Sequence, residues 1–186
     1  MRRLVVEDTP LAGLKRVRRN RLGDSRGFLA RLFCADELGE AGWTQPIAQV
    51  NHTRTRQRGS VRGLHFQTPP HAEMKLVHCL RGGVWDVAVD LRRGSPTFLR
   101  WHAEALSDEN GVALLIPEGF AHGLQTFTDD VDMLYCHSVA YAASAEGGLH
   151  PRDPRLAIAW PLPIAALSPR DEGHALIRAD FTGLVP

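Results

Sequence analysis

At 186 residues, 44% of them hydrophobic, the chain is long enough to bury one substantial core and too short to favour two. Lys+Arg 22 against Asp+Glu 21 leaves a formal charge of +1, which offers no global field for nucleic acid or an anionic membrane, so any anion site is local. The apolar run in Met1-Arg-Arg-Leu-Val-Val is too short for a signal-peptide core or a membrane span, and Cys34, Cys79 and Cys136 are scattered without a Cys-x-x-Cys. We therefore expect one cytoplasmic domain over residues 1–186, with thiols rather than disulfides or a zinc knuckle.

In chain order, Arg26-Gly27-Phe28 is a turn-like basic segment ahead of the main strands, and Ala35 to Ala41, ended by Gly42, predicts a short helix. Gln49-Val-Asn51 puts two amides on one strand face. In Val61-Arg-Gly-Leu-His-Phe-Gln67, strict alternation sets His65 with Gly63 and Gln67 and sends Arg62 to the opposite face. Either a bulge at Gly63 re-aims Arg62 or its long side chain acts from the rim; we prefer the bulge. Lys75 follows a Pro-Pro turn, and the strands so joined are expected to be neighbours, which brings an ammonium near the imidazole.

The middle of the chain alternates with a period of two. Trp85, Val87, Val89 and Leu91 oppose Asp86 and Asp90, and Leu99, Trp101, Ala103 and Ala105 oppose Arg100, His102 and Glu104. Short apolar runs at 76–80, 112–116, 123–127 and 132–137 are separated by Arg81-Gly-Gly83, Arg93-Gly-Ser-Pro96 and Pro117-Glu-Gly119. Many short strands at even spacing predict an all-β antiparallel sandwich or small barrel, with an interior wide enough for one small ligand where its inward residues are polar. Near the C-terminus, Ser168-Pro-Arg-Asp171 reads as an N-cap, a proline at the first helical position and an acid at the third.

Several side chains then have two readings. His65 is a satisfied strand histidine or a base. Lys75 is a snorkelling rim residue or the holder of a negative charge. Tyr135, on one face with Met133 and His137, is packing or an acid. Asp171 has an ordinary explanation as the N3 acid of the capping box on Ser168. His122 follows a turn and opens a strand, where functional residues often sit. Arg26, Arg62, Gln49 and Asn51 supply guanidinium forks and amides of the kind a diphosphate and a sugar nucleotide need.

Taken in order, Arg26-Gly-Phe28, Gln49-Val-Asn-His52, Val61 to Gln67, Lys75-Leu-Val77, Asp86 to Arg92, Gly94 to Phe98, Ile116 to Gly123, Leu134-Tyr135 and Leu167 to Asp171 resemble the dTDP-4-dehydrorhamnose 3,5-epimerase family. The resemblance implies a cupin-type double-stranded β-helix, a jelly-roll barrel with short flanking helices. It implies a homodimer acting on a dTDP-4-keto-6-deoxyhexose, with no metal and no organic cofactor. It carries the catalytic histidine onto His65, its paired acid onto Asp171, the lysine near the keto oxygen onto Lys75 and the tyrosine acid onto Tyr135. Substrate-binding positions fall on Arg26, Phe28, Gln49, Asn51, Arg62, His122 and Arg170, some reaching a neighbouring subunit's site. Arg31, Cys136, Ala140 and Pro151 depart from the family pattern, which bears on which carbons react and on the nucleotide. The alternatives are an epimerase acting at one centre only, a metal-dependent cupin, and a non-catalytic sugar-nucleotide binder.

Overall fold

The segment Val112–Ile116 shows how this chain makes its core: all five of its residues are apolar and all five are buried. Val112, Leu114 and Ile116 point one way and Ala113 and Leu115 the other, so a strand with this sequence needs cover on both faces. Each of its large side chains contributes roughly 1.5–3 kcal/mol by leaving water. The computed structural model, which describes residues 2–185, provides that cover with three apolar layers around two sheets.

The strands are β1 (Leu4–Asp8), β2 (Lys15–Arg19), β3 (Arg21–Asp24), β4 (Gly27–Ala30), β5 (Gln49–Thr55), β6 (Val61–Gln67), β7 (Lys75–Arg81), β8 (Gly83–Asp90), β9 (Trp101–Ser107), β10 (Val112–Ile116), β11 (Phe120–Thr126), β12 (Val131–His137) and β13 (Glu146–Gly148), with short helices α1 (Ala35–Gly39) and α2 (Pro169–Glu172). One sheet runs β1-β2-β10-β7-β12-β5 and the other β13-β6-β11-β8-β9; β3 and β4 form a separate hairpin. All named strand pairs are antiparallel. The all-β jelly roll is as expected, and its sheets face each other as a sandwich without closing into a barrel.

Between the sheets lie Val77, Val84, Ala88, Leu106, Leu114, Leu124 and Met133. The outer face of the six-stranded sheet is covered by α1 and the chain after it, where Leu38 and Trp43 meet Leu76, Leu115 and Cys136. The outer face of the five-stranded sheet is covered by the C-terminal segment, whose Leu156, Ile158, Trp160 and Ile177 pack on Val87, Val89 and Leu91. Thus the apolar face of β8 looks out to the tail, and its acids Asp86 and Asp90 point between the sheets. Asp90 accepts the hydroxyls of Ser95 at 2.5 Å and Thr97 at 2.6 Å and the Arg92 guanidinium at 2.7 Å, so the turn after β8 is folded around one carboxylate.

Two expectations change. Lys75 and His65 are not on neighbouring strands: β6 and β7 lie in opposite sheets, because the Pro-Pro segment carries the chain across the sandwich. The strand read from Phe98 begins at Trp101, since Leu99 takes a positive φ of 60° in the turn before it. The bulge at Gly63 is present. Arg62 pairs with Leu124 and His65 with His122, so two residues of β6 oppose one of β11. At Gly63 φ is +116° and a Cβ would stand 2.5 Å from Gly123 Cα, which only glycine tolerates.

Candidate active site

Toward one end of the sandwich the apolar filling gives way to polar side chains. Asn51, Lys75, Tyr135 and His137 from the six-stranded sheet face Arg62, His65, Gln67 and His122 from the other across a cavity of about 490 Å³. Because of the bulge, Arg62 and His65 both line it. The Arg62 guanidinium is aimed by Thr55 Oγ1, which accepts from Nε at 2.7 Å, and by the Arg54 carbonyl at 3.2 Å.

His65 Nε2 lies 2.6 Å from Asp171 Oδ1. An ionised carboxylate only accepts, so Nε2 is the donor here, and in the neutral ring the lone pair is then on Nδ1. Asp171 is placed by its helix. Ser168 caps α2 by accepting from the Asp171 N–H at 3.0 Å, and Pro169 starts the helix, as the sequence predicted. The carboxylate does not complete the capping box; it turns to His65 and to the Gly63 N–H at 3.3 Å. Burial works to raise its pKa, and the bonds from His65, Gly63 and Ser168 outweigh it, holding the carboxyl below its ordinary value. Thus the acid stays ionised and the imidazole oriented.

Opposite stands Lys75, 7% exposed, whose Nζ reaches Glu73 Oε1 at 3.2 Å and the His65 carbonyl at 3.3 Å. Glu73 also accepts from His137 Nδ1 at 2.7 Å. Burial raises the Glu73 pKa, but His137 and Lys75 more than reverse it and keep the carboxyl below the usual range. The buried ammonium beside the cavity thereby has an ionised partner.

Tyr135 stacks on His137 with centroids 6.2 Å apart and meets the edge of His122 at 5.9 Å. Burial, reinforced by the nearby Asp86 carboxylate, pushes its phenol well above the ordinary value, so the hydroxyl remains a proton donor. His122 bonds the fully buried Asp86 at 2.9 Å, and burial raises the Asp86 pKa. Three imidazole–carboxylate pairs therefore border one cavity: His65–Asp171, His122–Asp86 and His137–Glu73.

The other residues singled out in the sequence divide. Asn51 and Arg170 line the cavity. Gln49 stands behind it, donating to Asn51 Oδ1 at 3.0 Å and accepting from the Tyr141 N–H at 3.0 Å. Arg26 and Phe28 do not join it within this chain. They sit on the β3–β4 hairpin, Arg26 paired with Asp24 at 2.6 Å and Phe28 61% exposed beneath the Arg21 guanidinium. Sequence reasoning missed Glu73, Asp86 and His174 as site neighbours. The acid at 86 had a signal, since it alternates with an apolar face; Glu73 and His174 lie in irregular segments with no period to read.

The family description dTDP-4-dehydrorhamnose 3,5-epimerase matches residues 8–179. A dTDP-4-dehydrorhamnose 3,5-epimerase of Sinorhizobium fredii is 41% identical over 151 residues, 81% of this chain and 77% of that one. A dTDP-4-dehydrorhamnose 3-epimerase of Streptomyces niveus is also 41% identical, over 165 residues, 88% of this chain and 79% of that one. Among solved structures, the dTDP-6-deoxy-D-glucose-3,5-epimerase of Legionella pneumophila in complex with dTDP-4-keto-L-rhamnose superposes with a TM-score of 0.91 at 38% identity, covering 98% of this chain and 99% of that one. With a match over nearly its whole length in sequence and in fold, the chain belongs to the dTDP-4-dehydrorhamnose 3,5-epimerase family.

Proposed function

We propose that this protein epimerises a dTDP-4-keto-6-deoxyhexose at C3 and C5, converting dTDP-4-dehydro-6-deoxyglucose to dTDP-4-dehydrorhamnose. The observation that carries this reading is the meeting of an oriented imidazole, a buried ammonium and a neutral phenol around one cavity. Hydrogens on C3 and C5 flank the C4 ketone, so removing either leaves an enolate with its charge on oxygen. In our reading His65 Nδ1 takes the proton while Asp171 holds the imidazolium that forms; a positioned base is typically worth ~10²–10⁴-fold. Lys75 stabilises the enolate oxygen, often the larger contribution. Tyr135, which belongs to the opposite sheet, returns a proton to the other face of the carbon, and the centre inverts.

Arg62, Arg170, Asn51 and His122 fit the diphosphate and sugar as donors. Arg26, Phe28 and Gln49 fit a site completed by a second copy of the chain, with the hairpin reaching across a homodimer; exposed Leu22, Phe28 and Leu29 on that hairpin support it. We assign no metal or organic cofactor to the reaction, and read the enzyme as cytoplasmic. Among the described residues no helix is long and apolar enough to cross a membrane.

Incubation of dTDP-4-keto-6-deoxyglucose with the protein in heavy water, followed by NMR at each carbon, tests the reading. Deuterium at both C3 and C5 with inversion is expected; absence of label at both carbons rejects catalysis on this sugar. A single-centre epimerase is the second reading, favoured by the Streptomyces niveus 3-epimerase at the same 41% identity; it requires inversion at one carbon alone.

A further inference from the structure

His174 has no part in the chemistry above, yet it stands against the catalytic pair. It follows α2 by one residue beyond Gly173, and its ring meets that of His65 edge to face with centroids 6.0 Å apart. Its Nε2 is buried and has no hydrogen-bond partner among the described residues. That nitrogen lies 4.0 Å from Asp171 Oδ1, the oxygen that accepts from His65 at 2.6 Å. The ring is seated where position 148 has no side chain: a Cβ on Gly148 would stand 2.1 Å from His174 Nε2. A buried nitrogen left without a partner is costly, and one aimed at a carboxylate and a second imidazole has the makings of a ligand.

We propose that His65, Asp171 and His174 form a binding site for a divalent cation of the zinc class, and that filling it silences the catalytic base. One ligand atom from each residue lies within 4.8 Å of the other two. Around a tetrahedral zinc with bonds of about 2.0–2.1 Å, ligand atoms sit about 3.3 Å apart. The 2.6 Å contact has to open and the 4.0 Å contact to close by similar small amounts, within the reach of side-chain rotation. Two imidazoles and one carboxylate suit zinc, cobalt or nickel; magnesium, which wants oxygen ligands in an octahedron, is a poor fit.

Silencing follows from the tautomer. With the metal on Nε2, the proton that Nε2 carried moves through solvent to Nδ1, and the nitrogen facing the sugar no longer has a lone pair. The cation also takes the Asp171 oxygen that would have held the imidazolium. The inhibitory half of this proposal rests on His65 being the base; the binding half does not.

Cobalt chloride added to chelator-treated protein is expected to give visible absorption bands that saturate at one equivalent, and zinc chloride to displace it. Carbon–hydrogen exchange should fall in step with zinc occupancy and return on adding chelator, whereas magnesium leaves it unchanged. His174→Ala should keep metal-free exchange and weaken metal binding at least ~10–100-fold, the loss typical even of residues that only support a ligand. His174→Asn, which keeps a polar side chain there, serves if the alanine variant folds poorly. Wild-type binding without bands or stoichiometry overturns the site, as does undiminished affinity in the variants; zinc binding with exchange intact overturns the inhibition. Should metal-free wild type exchange nothing, the functional reading fails while the cobalt bands still decide the site.

Discussion

At the scale of single residues, the proposed base and acid are separable because they belong to opposite sheets. His65→Ala removes the imidazole that Asp171 orients and is expected to lower deuterium exchange at both carbons by ~10²-fold or more, read by NMR in heavy water. Tyr135→Phe keeps the imidazole and the ammonium, so exchange should persist while inversion is lost. Wild-type turnover in both variants would remove the assigned roles. Which of these residues were legible in the sequence follows from their surroundings. His65, Lys75 and Tyr135 sit in strands, where a period of two says which side chains share a face. His174 and Glu73 owe their positions to irregular chain, and only coordinates bring Glu73 to the cavity and His174 to Asp171.

At the scale of elements, β6 matters most, since its bulge decides whether arginine and histidine share a wall. Gly63→Ala puts a Cβ against Gly123 and the His122 carbonyl at 2.5 and 2.7 Å, on a backbone with φ of +116°. Overpacking and backbone strain together are expected to cost about 2–5 kcal/mol, seen as a lower denaturation midpoint. Activity should fall further than stability alone explains, because Arg62 and His65 then part. An unchanged midpoint would refute this account of the bulge. The helix α2 carries a similar lesson: its cap was readable as Ser-Pro-x-Asp, but the direction of the Asp171 carboxylate was not, because capping and the proposed catalysis ask for the same residue.

At the scale of the molecule, two expectations concern the core and the assembly. His78 is wholly buried on the outer face of the six-stranded sheet, and neither ring nitrogen finds a partner among the described residues. Burial, with the Arg19 guanidinium nearby, depresses its pKa to about 3 from 6.5. The unfolded chain therefore binds a proton that the folded chain refuses. This contribution to stability is intact above about pH 6.5 and is lost as pH falls toward 3, by up to ~1.4 kcal/mol per pH unit. His78→Leu should flatten that acid slope of the melting temperature without loss of stability at pH 8; an unchanged slope would argue against it. For the assembly, Arg26→Ala and His65→Ala subunits should each be weak alone and regain activity when mixed, if the hairpin serves the partner's site. Loss of one charge-assisted contact is expected to raise KM by ~10–100-fold. Mixtures that stay as inactive as their parts would confine Arg26 to its own chain.

By itself the sequence determined the class of fold, because alternating strands and glycine turns leave few ways to bury apolar faces, and it named most of the cavity's residues through their ordered motifs. Tertiary structure decided the rest. That β6 and β7 oppose each other across the sandwich, that Arg62 turns inward, that Glu73 balances Lys75 and that His174 approaches Asp171 all depend on where separate segments meet. A period along one strand fixes faces; it carries no information about the distance between two of them.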